Sequence, residues 1–430
     1  MKKYVLLLFS FFLLQAINAQ SLDCSNGRYQ KKIFSFVKRT NNIVYATKYQ
    51  SNNQKIYLKY DVYEPIGDTA QSRAVMLLIH GGAYLKLIDQ NSPDIVLMAD
   101  YFAKLGYVAV SIDYRQEPDI LGLLNEEVMV KAVSRALIDT KDAIDHFVAT
   151  YENGNPFRIN IDNAYIGGVS AGGVSTMFIC YLDSLQQMPE QYQQWIIEAN
   201  GPEADSILRH KFDHVKPKGA FSVSGAILDT SWIVDNGIDL LVNHGSADPI
   251  VPYNYDRPFG IPTLPKLFGG KAIYPRAINQ GIRCEFEDWI GYSHVPFMNL
   301  TLPKMITNFI NFPVLDSTER HIRDFFYPTL DCQSNIVSGI HQNKVADLKI
   351  YPNPSTDVFY IDIPNTYLSQ SAQLEIFSIN GQKVYEQIIP NNQSKIAINK
   401  NLPAGLYPIR LSYMVGNELN YYNNTIIRVD

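Results

Sequence analysis

Residues 163–180, NAYIGGVSAGGVSTMFIC, leave the chain little freedom in how it folds. Tyr165, Ile166, Gly167 and Gly168 lead in as a short buried strand, and Val174 to Leu182 lead out as an apolar run at helical spacing. Between them stands Gly168-Val169-Ser170-Ala171-Gly172. A strand turning straight into a helix here is so tight that side chains two before and two after the serine would collide, and glycine fills both places. Ser170 is then expected in a strained, exposed position at a helix N-terminus. Gly- and Ser-rich turns also serve as ordinary loops, so the meaning of this one depends on what flanks it.

Upstream and downstream, apolar runs alternate with turn signals. Ile43 to Tyr49 and Lys55 to Tyr63 read as strands; Ala74 to Ile79 and Tyr107 to Ile112 are continuous apolar runs, the mark of strands buried on both faces. Asp94 to Leu105 and Glu126 to Tyr151 read as helices, the second stopped by Asn153-Gly154-Asn155-Pro156. Gly219 to Val223, Ile238 to Val242 and Arg283 to Trp289 continue the strands, with helices expected at Ile273 to Ile278 and Pro303 to Phe312. This alternation predicts an α/β fold, a parallel sheet covered by helices on both faces, whose functional groups sit at the carboxyl ends of the strands.

Met1-Lys2-Lys3, the apolar run Tyr4 to Leu14 and the small residue Ala19 have the form of a secretory signal peptide over residues 1–19. The run is shorter than the roughly 20 residues a bilayer span needs. With 430 residues, 46% of them hydrophobic, the chain can hold two or three domains. A formal charge of -5 without basic runs argues against a nucleic-acid partner. Four cysteines permit disulfides without making a disulfide scaffold. Cys180 falls in the apolar helix after Ser170 and reads as a buried thiol. Among the others, Cys24 with Cys332 is the favoured pair, since one link near the two ends of the region would staple both; sequence alone does not fix connectivity.

At the carboxyl ends of the expected strands stand three further groups. His80-Gly81-Gly82-Ala83-Tyr84 follows Ile79, and a Gly-Gly turn can aim backbone N–H groups at a neighbouring site. Asp248 lies in the loop after Val242, and His294 in the loop after Trp289. Each alone has an ordinary structural reading. Together they give nucleophile, acid and base in the order Ser170, Asp248, His294, behind a Gly-Gly loop.

On these motifs, with Asp113-Tyr114-Arg115 and Gly291-Tyr292-Ser293-His294, residues from about Ile43 to Asn311 resemble the α/β-hydrolase superfamily, and within it secreted esterases and lipases with H-G-G-x-[WY] before the serine turn. Ala83 departs from the H-G-G-G form and Tyr84 from the H-G-G-x-W form, which leaves bacterial carboxylesterases and feruloyl or acetyl esterases both open. The resemblance implies that Ser170 attacks an ester carbonyl, His294 takes its proton and Asp248 holds the imidazole, with Gly82, Ala83 and Ala171 N–H groups as the oxyanion hole. It implies no metal or organic cofactor. Asp113-Tyr114-Arg115 reads as a loop tie through the guanidinium, and His80 and His244 as loop-orienting residues. Residues 183–218 have the composition of a helical cap, and 252–270 of an aromatic-rich loop. Tyr84, Tyr253 and Tyr292 are candidate substrate-pocket residues, although such aromatics can equally pack loops onto the domain.

Beyond Phe312 the character changes. Residues 330–345 read as a linker, and 346–430 as short alternating strands separated by Pro352-Asn353-Pro354, Asn380-Gly381 and Pro403-Ala404-Gly405, an immunoglobulin-like β-sandwich. Its landmarks, Leu348 to Pro354, Ile376 to Val384, Leu402 to Tyr407 and Ile426 to Val429, resemble the C-terminal sorting domain of type IX secretion substrates. The resemblance implies a secreted or cell-surface protein that meets the type IX machinery; a carbohydrate-binding sandwich is the competing reading. Three functions follow as expectations: a serine esterase acting on a small-molecule or polymer-linked ester in a catalytic region of residues 20–329, a peptidase or amidase with the same triad, or a non-catalytic binding protein.

Overall fold

The computed structural model describes residues 21–86, 88–119, 121–299, 309–332, 349–362, 372–378, 383–390, 393–399, 402–415 and 418–428. Two compact units divide the chain, Met1–Gln333 and Ser334–Asp430. The expected signal peptide, and the linker beyond Cys332, lie outside the described residues.

In the first unit the strands are β1 (Val37–Tyr49), β2 (Lys55–Pro65), β3 (Arg73–Ile79), β4 (Val108–Ile112), β5 (Ile159–Val169), β6 (Gly219–Val223), β7 (Ala226–Ile227), β8 (Asp239–Gly245), β9 (Tyr255–Asp256), β10 (Leu267–Gly269) and β11 (Cys284–Trp289). The principal sheet runs β1-β2-β4-β3-β5-β6-β8-β11. In this sheet β1, β2 and β4 pair antiparallel, and β4, β3, β5, β6, β8 and β11 pair parallel in that order. Alternate side chains of β3 feed two cores, Val75, Leu77 and Ile79 on one face and Ala74, Met76 and Leu78 on the other. Two-sided burial is why these strands read as unbroken apolar runs.

Helices cover both faces. α1 (Pro93–Leu105), closed by Gly106 in the left-handed region at φ 108°, shares a core with α7 (Phe312–Phe326). α2 (Glu126–Glu152), α3 (Ala171–Tyr181) and α6 (Gly270–Asn279) pack on the other face. α2 begins where the Asn125 side chain accepts from the N–H groups of Glu127 and Val128. Between α3 and β6 lie α4 (Glu190–Asn200) and α5 (Ala204–Arg209). Asn200 of α4 accepts from Arg115 Nη2 at 3.1 Å and donates to Ser134 Oγ of α2 at 2.9 Å. The segment 252–270 carries β9 and β10, which join β7 in a small antiparallel sheet.

Residues 303–308 of the expected Pro303 to Phe312 helix lie outside the described residues. Residues 309–311 are not helical, since Ile310 bridges Met298 and the Asn311 N–H donates to Phe297 O at 2.7 Å, and Phe312 begins α7. The closing helix is α7, with Pro313 in its first turn and Val314, Leu315, Thr318, Ile322 and Phe325 buried along one face. β1 starts at Val37, ahead of the expected Ile43. Cys24 and Cys332 form a disulfide across 308 residues, beside a Leu22 N–H that donates to Asp331 O at 3.0 Å. Cys180 and Cys284 are free and buried.

The second unit contains β12 (Lys349–Tyr351), β13 (Phe359–Asp362), β14 (Ala372–Phe377), β15 (Lys383–Ile389), β16 (Lys395–Ile398), β17 (Gly405–Val415) and β18 (Glu418–Arg428). Its sheets, β12-β13-β16 and β15-β14-β17-β18, are antiparallel. Phe359 and Ile361 of one and Leu374 and Ile376 of the other meet in one core, a β-sandwich. Among the described residues no helix is long and apolar enough to cross a membrane.

Candidate active site

Parallel register brings the carboxyl ends of β3, β5, β6, β8 and β11 to one edge, with Ile79 beside Gly168, Val169 beside Val223, Val223 beside Asn243 and Gly245 beside Trp289. The loops after these strands carry the sequence-selected residues. At the end of β5 the chain turns at once into α3 through Ser170, whose backbone sits at φ 56°, ψ -118°. That is a sparsely populated region for a residue with a side chain. The tightness that demands glycine is measurable: a Cβ on Gly172 would lie 2.0 Å from Ile79 O, and one on Gly168 2.4 Å from the Gly172 carbonyl carbon. Ser170 is not exposed, as the turn alone led us to expect, but 9% accessible at the base of a pocket, because α2, α4 and the 252–270 segment close over the edge.

Ser170 Oγ lies 2.7 Å from His294 Nε2, and His294 Nδ1 lies 2.7 Å from Asp248 Oδ2. A carboxylate only accepts, so Nδ1 carries the proton of the neutral imidazole and Nε2 is the acceptor facing the serine hydroxyl. Asp248 receives four donors: His244 Nε2 at 3.2 Å and His294 Nδ1 on Oδ2, and the N–H groups of Ile250 at 2.8 Å and Val251 at 3.0 Å on Oδ1. Burial by itself would raise this carboxyl, but the bonds from His244 and His294 outweigh it and hold Asp248 well below the usual carboxylate range.

The loop after β3 is held in an unusual shape. Gly82, Ala83 and Tyr84 take φ values of 101°, 53° and 61° in succession. Tyr84 OH donates to Ala171 O at 2.8 Å and meets Ser175 Oγ at 3.1 Å, which ties the loop to α3. Tyr114 OH lies 3.0 Å from His80 O and 2.9 Å from Gly81 O, with its ring stacked on His80 at 4.3 Å. His80 Nδ1 donates to Gly81 O at 2.8 Å. The Ala171 N–H belongs to the first turn of α3, where N–H groups have no acceptor within the helix. Arg115 binds Asp139 through Nε at 2.8 Å and Asn200 through Nη2, a structural tie between α2 and α4.

Ser170 lines an apolar pocket. Tyr84 lines it. Tyr253 and Tyr292 do not: the Tyr253 hydroxyl is drawn away to Asp288, 2.8 Å from each carboxylate oxygen, and Tyr292 packs edge-on against Trp289 with 38% of its surface exposed. The aromatic that does reach the pocket from the 252–270 segment is Phe259.

Two further residues support the relay: His244, expected to orient its loop, and Ser224, which sequence reasoning missed. His244 Nδ1 accepts from the Gly270 N–H at 3.2 Å, which leaves Nε2–H to donate to Asp248. Ser224, buried just beyond β6 at φ 50°, accepts from the Val295 N–H at 3.1 Å and so holds the residue after His294, itself at φ 51°. Their placement at strand ends was the signal available. No group of His, Cys, Asp and Glu that could hold a metal ion occurs among the described residues.

Residues 60–207 match the family BD-FAE, of α/β-hydrolase esterases, and residues 349–421 match the secretion system C-terminal sorting domain. Both resemblances read from the motifs hold at this level. The sorting domain is of the type IX secretion kind and indicates an extracellular or cell-surface location. The family match and the fold support carboxylic ester hydrolase activity. No curated protein matches the chain. Similar solved structures include esterase 2 of the planctomycete Thermogutta terrifontis phosphoramylated by tabun, at 18% identity over 68% of this chain and 96% of that one with a TM-score of 0.45. Its native form is 17% identical over 69% and 94%, with a TM-score of 0.44. A truncated carbohydrate esterase from gut microbiota is 15% identical over 69% and 97%, with a TM-score of 0.40.

Proposed function

We propose that the chain is a secreted serine hydrolase that cleaves carboxylic esters through a covalent acyl-enzyme. The observation that carries this reading is the relay from Ser170 through His294 to Asp248 at the base of an apolar pocket. A serine hydroxyl is a weak nucleophile at neutral pH; His294 Nε2 takes its proton as Oγ attacks the ester carbonyl. Asp248, held ionised, fixes the imidazole tautomer and stabilises the imidazolium without taking the proton. Negative charge growing on the carbonyl oxygen is met by the N–H groups of Ala171, Gly82 and Ala83, each such donor being worth on the order of 10²- to 10³-fold in rate. His294 then protonates the departing alcohol, and water, deprotonated by the same imidazole, releases the acid.

In this proposal Met1–Ala19 is a signal peptide, residues 20–329 are the hydrolase with 183–218 as its cap, and a linker over 330–345 leads to a sorting domain over 346–430. The test is hydrolysis of 4-nitrophenyl esters by the full chain beside its Ser170→Ala variant. We expect turnover in the first and a loss of at least about 10⁴-fold in the second; turnover that survives the substitution would refute the reading.

A further inference from the structure

We infer that the acyl group this site accepts is a saturated chain of medium length, an inference that rests on the ester-hydrolase reading above. Met129, Val133 and Leu137 of α2, spaced four residues apart on one helix face, form one wall of the pocket. Val174 and Phe178 of α3 continue it from the serine outward, and Ile196, Phe259 and Leu267 stand among the residues that complete it. No Lys, Arg, Asp, Glu, His, Asn or Gln lines the pocket among the described residues.

The side-chain hydroxyls that do reach it are already engaged. Ser134 Oγ donates to Lys131 O at 2.9 Å and accepts from Asn200 Nδ2 at 2.9 Å. Tyr84 OH is bound to Ala171 O, Tyr192 OH donates to Glu126 Oε1, and Ser170 faces His294. An entering acyl group therefore gains from apolar contact and from little else. An acetyl group has a single methyl to set against this apolar lining. A hydroxycinnamoyl group would bury its phenolic hydroxyl without a partner, at a cost of roughly tenfold to a hundredfold. A saturated chain meets neither objection and gains about fourfold for each methylene it buries.

The experiment compares kcat/KM of the full chain for 4-nitrophenyl acetate, butyrate, octanoate and ferulate, each beside Ser170→Ala. We expect a rise of at least tenfold from acetate to octanoate, with ferulate at least tenfold below octanoate. A soluble Val133→Trp variant, which fills the middle of the α2 wall, should lower the octanoate-to-acetate ratio at least tenfold; an unchanged ratio would overturn the assignment of this pocket to the acyl chain. The wild-type series decides without the variant. Preference for acetate or for ferulate, with turnover still lost in Ser170→Ala, would overturn the inference and leave an ester hydrolase. Absence of Ser170-dependent turnover of all four would overturn both.

Discussion

His244 Nε2 lies 3.2 Å from Oδ2 of Asp248, the same oxygen that His294 Nδ1 meets at 2.7 Å. The Ile250 and Val251 N–H groups hold the other carboxylate oxygen, so His244 supplies one of two side-chain donors on the oxygen that His294 uses. His244 is fixed in turn by the Gly270 N–H on its other nitrogen. Replacing it removes one hydrogen bond to a charged group, worth about 1.5–3 kcal/mol. We expect His244→Leu to lower kcat by about tenfold or more with KM little changed, and to raise the Asp248 carboxyl toward its ordinary range. Steady-state kinetics across pH 4–9 would check it; a fall confined to KM would contradict a positioning role.

The Cys24–Cys332 disulfide closes a loop of 308 residues around the hydrolase unit. On chain-entropy grounds such a link stabilises by about 6 kcal/mol, or roughly 10 °C in melting temperature for a unit of this size. Melting the full chain with and without a phosphine reductant should show that drop, and the Cys24→Ser variant should reproduce it with no further response to reductant.

His321 of α7 sits 2.7 Å from Glu285 and 3.3 Å from Glu287 on β11. The hydrogen bond His321 donates to Glu287, opposed by burial and helped by the one to Glu285, pushes its imidazole up to about 9 from the usual 6.5. A folded value above the unfolded one means the stabilisation is complete below about pH 6.5 and is lost as pH rises through about 9. Melting temperature should therefore fall across that window in the wild type and fall less in His321→Gln. Equal slopes in the two proteins would contradict the pairing.

What could be read before the fold was known follows from which residues the backbone itself dictates. Gly168 and Gly172 are forced by contacts with the main chain, and Ser170 and Asp248 follow β5 and β8, whose carboxyl-terminal halves are buried on both faces, while His294 follows β11, whose CEFEDW is only partly buried. Such positions are legible locally. Tyr253 and Tyr292 were not, because whether an aromatic faces a pocket depends on a partner elsewhere, here Asp288 and Trp289. Ser170's burial was hidden for the same reason: the walls that cover it come from α2, α4 and the 252–270 segment. α7 was missed although Val314, Leu315, Thr318, Ile322 and Phe325 follow a helical stripe and Pro313 occupies a first-turn position. In the sandwich, β18 begins at Glu418 through a polar run, NELNYYNN, that carries no apolar alternation.

The central claim is that the relay from Asp248 through His294 makes Ser170, alone among the serines, a nucleophile. Incubating the full chain with diisopropyl fluorophosphate, then measuring intact mass and mapping the modified peptide, tests it directly. We predict one diisopropylphosphoryl group per chain, on Ser170, with labelling slowed by at least about 10³-fold in His294→Ala. No adduct, or an adduct on another residue, would contradict the account.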